Sequence, residues 1–176
     1  MKIKSTKFKD LKIISSQVHY DKRGFFRETF KNKFFSKKKF IFSCVSSSKK
    51  NVIRGLHLQR KFAQGKYISV LKGEIFDVVV DLRKNSKNFG KYFSIRLSDK
   101  NGLSIFIPEG FAHGFVGMKK ENLISYQCTN YRSKKNEVGI LWNDKDIKIK
   151  WPIKKPIISS KDRKNISLRE FLNKYA

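Results

Sequence analysis

Lys72-Gly73-Glu74-Ile75-Phe76-Asp77-Val78-Val79-Val80-Asp81-Leu82 is a turn followed by a β-branched run. Branching at Cβ restricts χ1 and suits pleated backbone, and the run has the length of a strand. The same grammar repeats on both sides. Tyr67–Leu71 alternates apolar and small residues just before it, and Lys91–Leu97 is a strand candidate after it. Asp99-Lys100-Asn101-Gly102 is a strong turn signal, and Leu103–Ile107 resumes the extended pattern. Leu123–Thr129 and Val138–Trp142 continue it. Upstream, residues 52–58, 40–47 and 11–19 read as extended, and Asp21-Lys22-Arg23-Gly24 reads as a turn. Residues 30–39 read as a short helix. Strands this short and this regularly spaced predict an all-β sandwich or small barrel. Ser167-Leu168-Arg169-Glu170 fits a capping box that opens a C-terminal helix to about Tyr175.

The chain has 176 residues, enough for one domain over 1–176 and too few for two ordinary ones. Hydrophobic residues make up 39%, including 16 Phe, so a core with much aromatic packing is expected. The net charge is +27, a field that attracts polyanions and small anions. The lysines, however, are scattered from Lys2 to Lys174, and no zinc-finger, RRM-like or basic-zipper pattern accompanies them. A coding bias accounts for the excess, and no nucleic-acid partner is expected. Cys44 and Cys128 are far apart and the first residues carry no secretory pattern, so reduced thiols and a cytoplasmic location are expected. No run approaches the roughly 20 apolar residues that span a bilayer, so no membrane partner is expected.

The histidines are His19, His57 and His113. Two lie in glycine-rich, strand-edge settings, Arg54-Gly55-Leu56-His57 and Gly110-Phe111-Ala112-His113-Gly114-Phe115. Glycine lets the backbone turn sharply there, so a side chain can enter a cavity. Taken singly, each reads as a core or turn histidine bonded to a carbonyl. Many jelly rolls hold metals, but no His-x-His pair is present, and His57 and His113, meeting across the sandwich, lack an evident third ligand. No metal site is expected. Lys66 and Arg54 each read singly as one more solvated cation. Tyr126 and Tyr131 read as residues of one strand, packed in the core.

Taken together and in order, these segments carry a resemblance. They are Asp21-Lys22-Arg23-Gly24-Phe25-Phe26-Arg27-Glu28, Asn51-Val52-Ile53-Arg54-Gly55-Leu56-His57-Leu58-Gln59, Gln64-Gly65-Lys66 and Gly73 to Arg83. Ile107-Pro108-Glu109-Gly110-Phe111-Ala112-His113-Gly114-Phe115, Thr129-Asn130-Tyr131, Leu141-Trp142-Asn143-Asp144, Trp151-Pro152 and Ser160-Lys161-Asp162 follow. From about residue 20 to residue 162 the chain resembles the dTDP-4-dehydrorhamnose 3,5-epimerase family.

The resemblance implies a cupin-like jelly-roll β-sandwich that inverts C3 and/or C5 of a nucleotide-linked 4-keto-6-deoxy sugar. Such a reaction needs a base, an acid on the opposite face and a donor at the enolate oxygen. It calls for no redox cofactor and no metal. By position, His57 resembles the base, Asp162 the carboxylate that orients it, Lys66 the cation near the enolate and Tyr126 the acid. Arg23 and Arg54 resemble diphosphate-binding residues. Glu28, His113 and Tyr131 resemble further substrate-binding residues. The resemblance also implies a homodimer in which the loop carrying Arg23 reaches the neighbour's site. One region departs: Phe42 and Cys44 stand where the family usually has a Gln and an Asn that help hold the nucleotide diphosphate. A single-centre 3- or 5-epimerase acting on another nucleotide sugar is therefore the alternative. A metal-dependent cupin enzyme and a non-catalytic binder of anionic ligands are the rivals outside the family.

Overall fold

The computed structural model describes residues 1–35 and 38–175. In chain order the first strands are β1 (Lys2–Ser5), β2 (Lys12–Ser15), β3 (Val18–Asp21), β4 (Gly24–Arg27), β5 (Phe42–Lys49), β6 (Val52–Gln59) and β7 (Lys66–Lys72). They are followed by β8 (Glu74–Asp81), β9 (Tyr92–Ser98), β10 (Leu103–Ile107), β11 (Phe111–Gly117), β12 (Glu121–Cys128), β13 (Glu137–Gly139) and β14 (Ile157–Ile158). Helices α1 (Ser160–Arg163) and α2 (Leu168–Tyr175) close the chain. One sheet has the order β1-β2-β10-β7-β12-β5, and the other β13-β6-β11-β8-β9 with β14 added beside β6. They pack as a jelly-roll β-sandwich with a short C-terminal helix, as expected.

The apolar run that follows Lys72-Gly73 is β8, and its lack of alternation has a cause. Ile75 and Val79 face the core between the sheets, with Ile68, Val70, Ile105 and Ile124 opposite. Val78 and Val80 face the other way, under Ile140, Ile147, Leu168 and Phe171 from the C-terminal segment. Both faces of β8 are dry, so both are apolar. Each fully buried Val or Ile contributes about 1.5–3 kcal/mol relative to an exposed one. The outer face of the first sheet is covered too. Phe35, Tyr67 and Phe106 pack there with Phe30 and Phe40, which is where much of the aromatic content goes.

Several expectations are corrected. Residues 11–19 form parts of two strands, β2 and β3, separated at Ser16-Gln17, and β3 leaves the β2–β10 pairing. β3 then pairs with β4 in a hairpin whose turn is Lys22-Arg23. The helix expected over 30–39 is a single 3₁₀ turn, Asn32–Phe35, and residues 36–37 of that span lie outside the described residues. Phe30, Phe35 and Phe40 recur every five residues, a spacing that no α-helix brings to one face. Of Val138–Trp142, only Val138 and Gly139 lie in β13; Ile140 makes one bridge to Ile166. The segment around His113 is no strand edge. β11 lies between β6 and β8 and is buried from end to end. The capping box holds: Ser167 Oγ accepts from Glu170 N–H at 3.2 Å, and the Glu170 carboxylate accepts from Ser167 N–H at 2.7 Å. Among the described residues no helix is long and apolar enough to cross a membrane.

Candidate active site

Arg54 and His57 are three residues apart on β6, so a regular strand would send them to opposite faces. β6 is not regular. His57 pairs with His113 and Arg54 pairs with Phe115, so Gly55 and Leu56 together oppose the single Gly114 of β11. This bulge turns Arg54 and His57 to the same side, where both line one cavity. Glycine is required on both strands. Gly55 has φ +124°, and a Cβ there would lie 2.6 Å from Gly114 Cα. A Cβ on Gly114 would lie 2.7 Å from the Arg54 carbonyl.

The cavity has a volume of about 600 Å³ and draws on both sheets. His57 and His113 come from one sheet. Lys66 comes from β7 and Tyr126 and Cys128 from β12 of the other, while alternation along β5 brings in Phe42, Cys44 and Ser46. The C-terminal segment brings in Asp162. The two histidines are neighbours within one sheet, not partners across the sandwich as expected.

Each histidine is held by its own carboxylate. His57 Nε2–H donates to Asp162 Oδ1 at 2.7 Å. Asp162 Oδ2 accepts from Gly55 N–H at 3.3 Å, and Asp162 N–H donates to Ser159 Oγ at 3.0 Å, the cap of α1. Burial pushes the Asp162 carboxyl up, but the His57 bond and charge, the Gly55 amide and Ser159 outweigh it, leaving a net lowering. His113 Nε2–H donates to Asp77 Oδ2 at 2.7 Å, and Asp77 Oδ1 is buried without a hydrogen-bond partner.

The opposite wall holds the other polar groups. Tyr126 OH lies 3.1 Å from Ser46 Oγ, and its ring lies edge-on to His113 at 6.5 Å. Burial drives the phenol's pKa well above its ordinary value, with Ser46 pulling the other way. Burial pulls the Lys66 ammonium down, partly offset by the nearby Cys128, Glu137 and Asp77. Burial also raises the thiols of Cys44 and Cys128, the latter to about 11, and neither is in a disulfide. Arg54 Nε–H donates to Ser48 Oγ at 2.8 Å and Nη2–H to the Ser47 carbonyl at 2.9 Å. At the rim, Glu137 pairs with Arg132 at 3.2 Å and with Lys161. Burial raises its carboxyl, but Lys161, His57 and Arg132 bring it below its usual value.

His57, Asp162, Tyr126, Lys66, Arg54 and His113 are thus brought together. Three expected residues are not. Arg23 sits exposed at the hairpin tip, paired with Asp21 at 2.6 Å. Glu28 pairs with Lys31 at 2.6 Å. Tyr131 is no strand residue, because β12 ends at Cys128; it is exposed, with its ring 6.2 Å from that of Phe42. Ser46, Asp77 and Glu137 are polar groups of the site that the sequence did not single out. No group of three or more His, Cys, Asp or Glu among the described residues is placed to hold a metal.

The dTDP-4-dehydrorhamnose 3,5-epimerase family model matches residues 5–170. A dTDP-4-dehydrorhamnose 3,5-epimerase of Methanothermobacter thermautotrophicus is 46% identical over 165 residues, covering 90% of this chain and 89% of that protein. The crystal structure of the enzyme so named from Elizabethkingia anophelis is 40% identical, with a TM-score of 0.89 over 97% of each chain. That of RmlC from Legionella pneumophila, in complex with dTDP-4-keto-L-rhamnose, is 37% identical, with a TM-score of 0.91 over 99% of this chain and 94% of that one. A match of this extent in sequence and fold places the chain in the dTDP-4-dehydrorhamnose 3,5-epimerase family.

Proposed function

We propose that this chain is a nucleotide-sugar isomerase that inverts C3 and C5 of dTDP-linked 4-keto-6-deoxy sugar through an enolate. The observation that carries this reading is the placement of His57–Asp162 on one sheet and Tyr126 on the other, around one cavity. With Nε2–H given to Asp162, His57 has Nδ1 left to accept a proton from the carbon beside the ketone. Asp162 fixes the tautomer and stabilises the imidazolium that forms. Lys66, bonded to no described residue, is the cation for the developing enolate oxygen. Tyr126, its phenol kept protonated by burial, returns a proton from the far side. Arg54 holds the diphosphate, for which a planar guanidinium is suited, and His113 lies beside the sugar.

We further propose a homodimer. The β3–β4 hairpin leaves Tyr20, Phe25 and Phe26 more than half exposed around Arg23, a surface that a second copy would cover while receiving Arg23 at its cavity. A monomer by light scattering with full activity would overturn this. Phe42 and Cys44 favour a second reading, a single-centre epimerase on another nucleotide sugar, because neither offers the strong polar contacts of an amide to a nucleotide.

NMR of dTDP- and GDP-linked 4-keto-6-deoxy sugars with the protein in D2O tests both readings. Deuterium at C3 and C5 with inversion of both is the expected result for the dTDP sugar. Deuterium at one carbon only would select the second reading, and none with any sugar would defeat both.

A further inference from the structure

Tyr126 comes from β12 and Ser46 from β5, an edge strand. Register pairs Tyr126 with Cys44 and Ile124 with Ser46. The Ser46–Tyr126 contact is therefore diagonal, within reach of a long aromatic side chain on the same face. At 3.1 Å it is the only hydrogen bond made by the Tyr126 hydroxyl to any described residue. A phenol can take part in such a bond in two ways. If the phenol donates, its proton is engaged by Ser46 Oγ and is not free for a ligand. If Ser46 donates, the phenol's own proton is free to point at a ligand, and a donor is already in place for the phenolate left after transfer.

We infer that Ser46 is the positioning residue for the acid: its Oγ–H donates to Tyr126 Oη, aims the phenol proton at the sugar and holds the phenolate that follows. This rests on the epimerase reading above and extends it. In the step, the Tyr126 O–H bond breaks, the proton joins the enolate carbon, and the negative charge passes from the enolate to Tyr126 Oη. There it meets the Ser46 hydrogen bond. Hydrogen bonds to charged groups are worth about 1.5–3 kcal/mol, more than neutral ones, so Ser46 counts for more once the phenolate forms. Binding the product state more tightly than the ground state favours the transfer itself. Burial disfavours the phenolate, and the hydrogen bond to Ser46 works against that effect.

The test uses the full chain and dTDP-4-keto-6-deoxyglucose in D2O, with Ser46→Ala, Ser46→Thr and wild type compared. Two rates are read: deuterium uptake into recovered substrate, which reports proton removal, and inversion, which reports far-side return. Ser46→Ala is expected to lower inversion about ten- to a hundredfold, the worth of a hydrogen bond to a charged group. Uptake without inversion should persist within about twofold. Ser46→Thr keeps the hydroxyl and suits a strand, and should restore most of the inversion. A merely structural role would lower both rates together and appear as a loss of thermal stability. That result, or unchanged inversion in Ser46→Ala, overturns the inference while the epimerase reading stands. A wild type with neither uptake nor inversion overturns both.

Discussion

The molecule holds two histidine–carboxylate pairs of equal length, 2.7 Å each, on neighbouring strands. They differ in everything around that bond. The His57 ring is a quarter exposed, and its carboxylate comes from a helix turn 105 residues away, after the sandwich is complete. Asp162 also receives the Gly55 amide, so both of its oxygens are used. His113 is nearly enclosed, and its carboxylate comes from the adjacent strand of its own sheet with one oxygen unpartnered. A pair meant to exchange a proton with a ligand needs an open ring and a fully bonded carboxylate. A pair built into a sheet can only hold its ring still. In the proposed mechanism this makes His57 the base and His113 a fixed wall of the sugar site.

The largest expected effect breaks the open pair. His57→Asn should abolish both deuterium uptake and inversion, since no enolate forms, while the protein still melts cooperatively. Uptake at a rate near wild type would move the base to another residue. Asp162→Asn should follow, with kcat about 10²–10⁴ lower, because an amide cannot stabilise the imidazolium as a carboxylate does. The same variant bears on stability. The Asp162 carboxyl is held below its unfolded value of about 3.9. Its ionised form therefore adds stability that is fully present above that unfolded value and is lost as pH falls through the folded one. Asp162→Asn should flatten this part of the acid limb in denaturant titrations below about pH 4. An unchanged acid limb would show that the pair contributes nothing to folding.

How far these pairs could be read from the chain depends on where their signals lie. β7, β8 and β10 were legible because β-branched runs are bounded by Lys72-Gly73 and Asp99 to Gly102. β11 was not, because all seven of its residues are buried and it carries Gly114 and Gly117, so neither alternation nor propensity marks it. His57 is marked locally by the nearby Gly55, but Asp162 and its pairing with His57 stand out only through the family pattern, since nothing local joins residues so far apart. Asp77 was hidden in an apolar run, although a carboxylate there at the spacing of Ile75 and Val79 points into the core. Ser46 was hidden among Ser46-Ser47-Ser48, which reads as polar surface; only the register of β5 against β12 brings it to Tyr126. Arg23 and Glu28 were singled out by pattern, yet within one chain the hairpin keeps them away from the cavity lining.

The smallest effect sharpens the contrast from the closed side. Asp77→Asn keeps the size of the side chain and an oxygen to accept from His113 Nε2–H. It removes a buried negative charge, which is costly to enclose, and places an amide where one oxygen now lacks a partner. The gain from losing the charge and the cost of an unpaired amide, about 1–3 kcal/mol, oppose each other. The net change in stability should therefore be within about 1 kcal/mol, or roughly 2–4 °C in Tm for a chain of this size. Asp77→Ala has no such compensation. It leaves the His113 donor unpaired beside a new void and should cost several kcal/mol by the usual measure of buried polar and cavity losses. For activity, Asp77→Asn should lower kcat by less than about tenfold, because His113 stays in place and no proton passes through it. Asp162→Asn should lose far more kcat and should also cost stability, because one of its two donors, His57 Nε2–H or Gly55 N–H, would then face an amide N–H. Thermal melts and steady-state rates on the two Asn variants decide the matter. If Asp77→Asn lost as much kcat as Asp162→Asn, then His113 would be an acid–base group in its own right, and burial would not separate the two pairs.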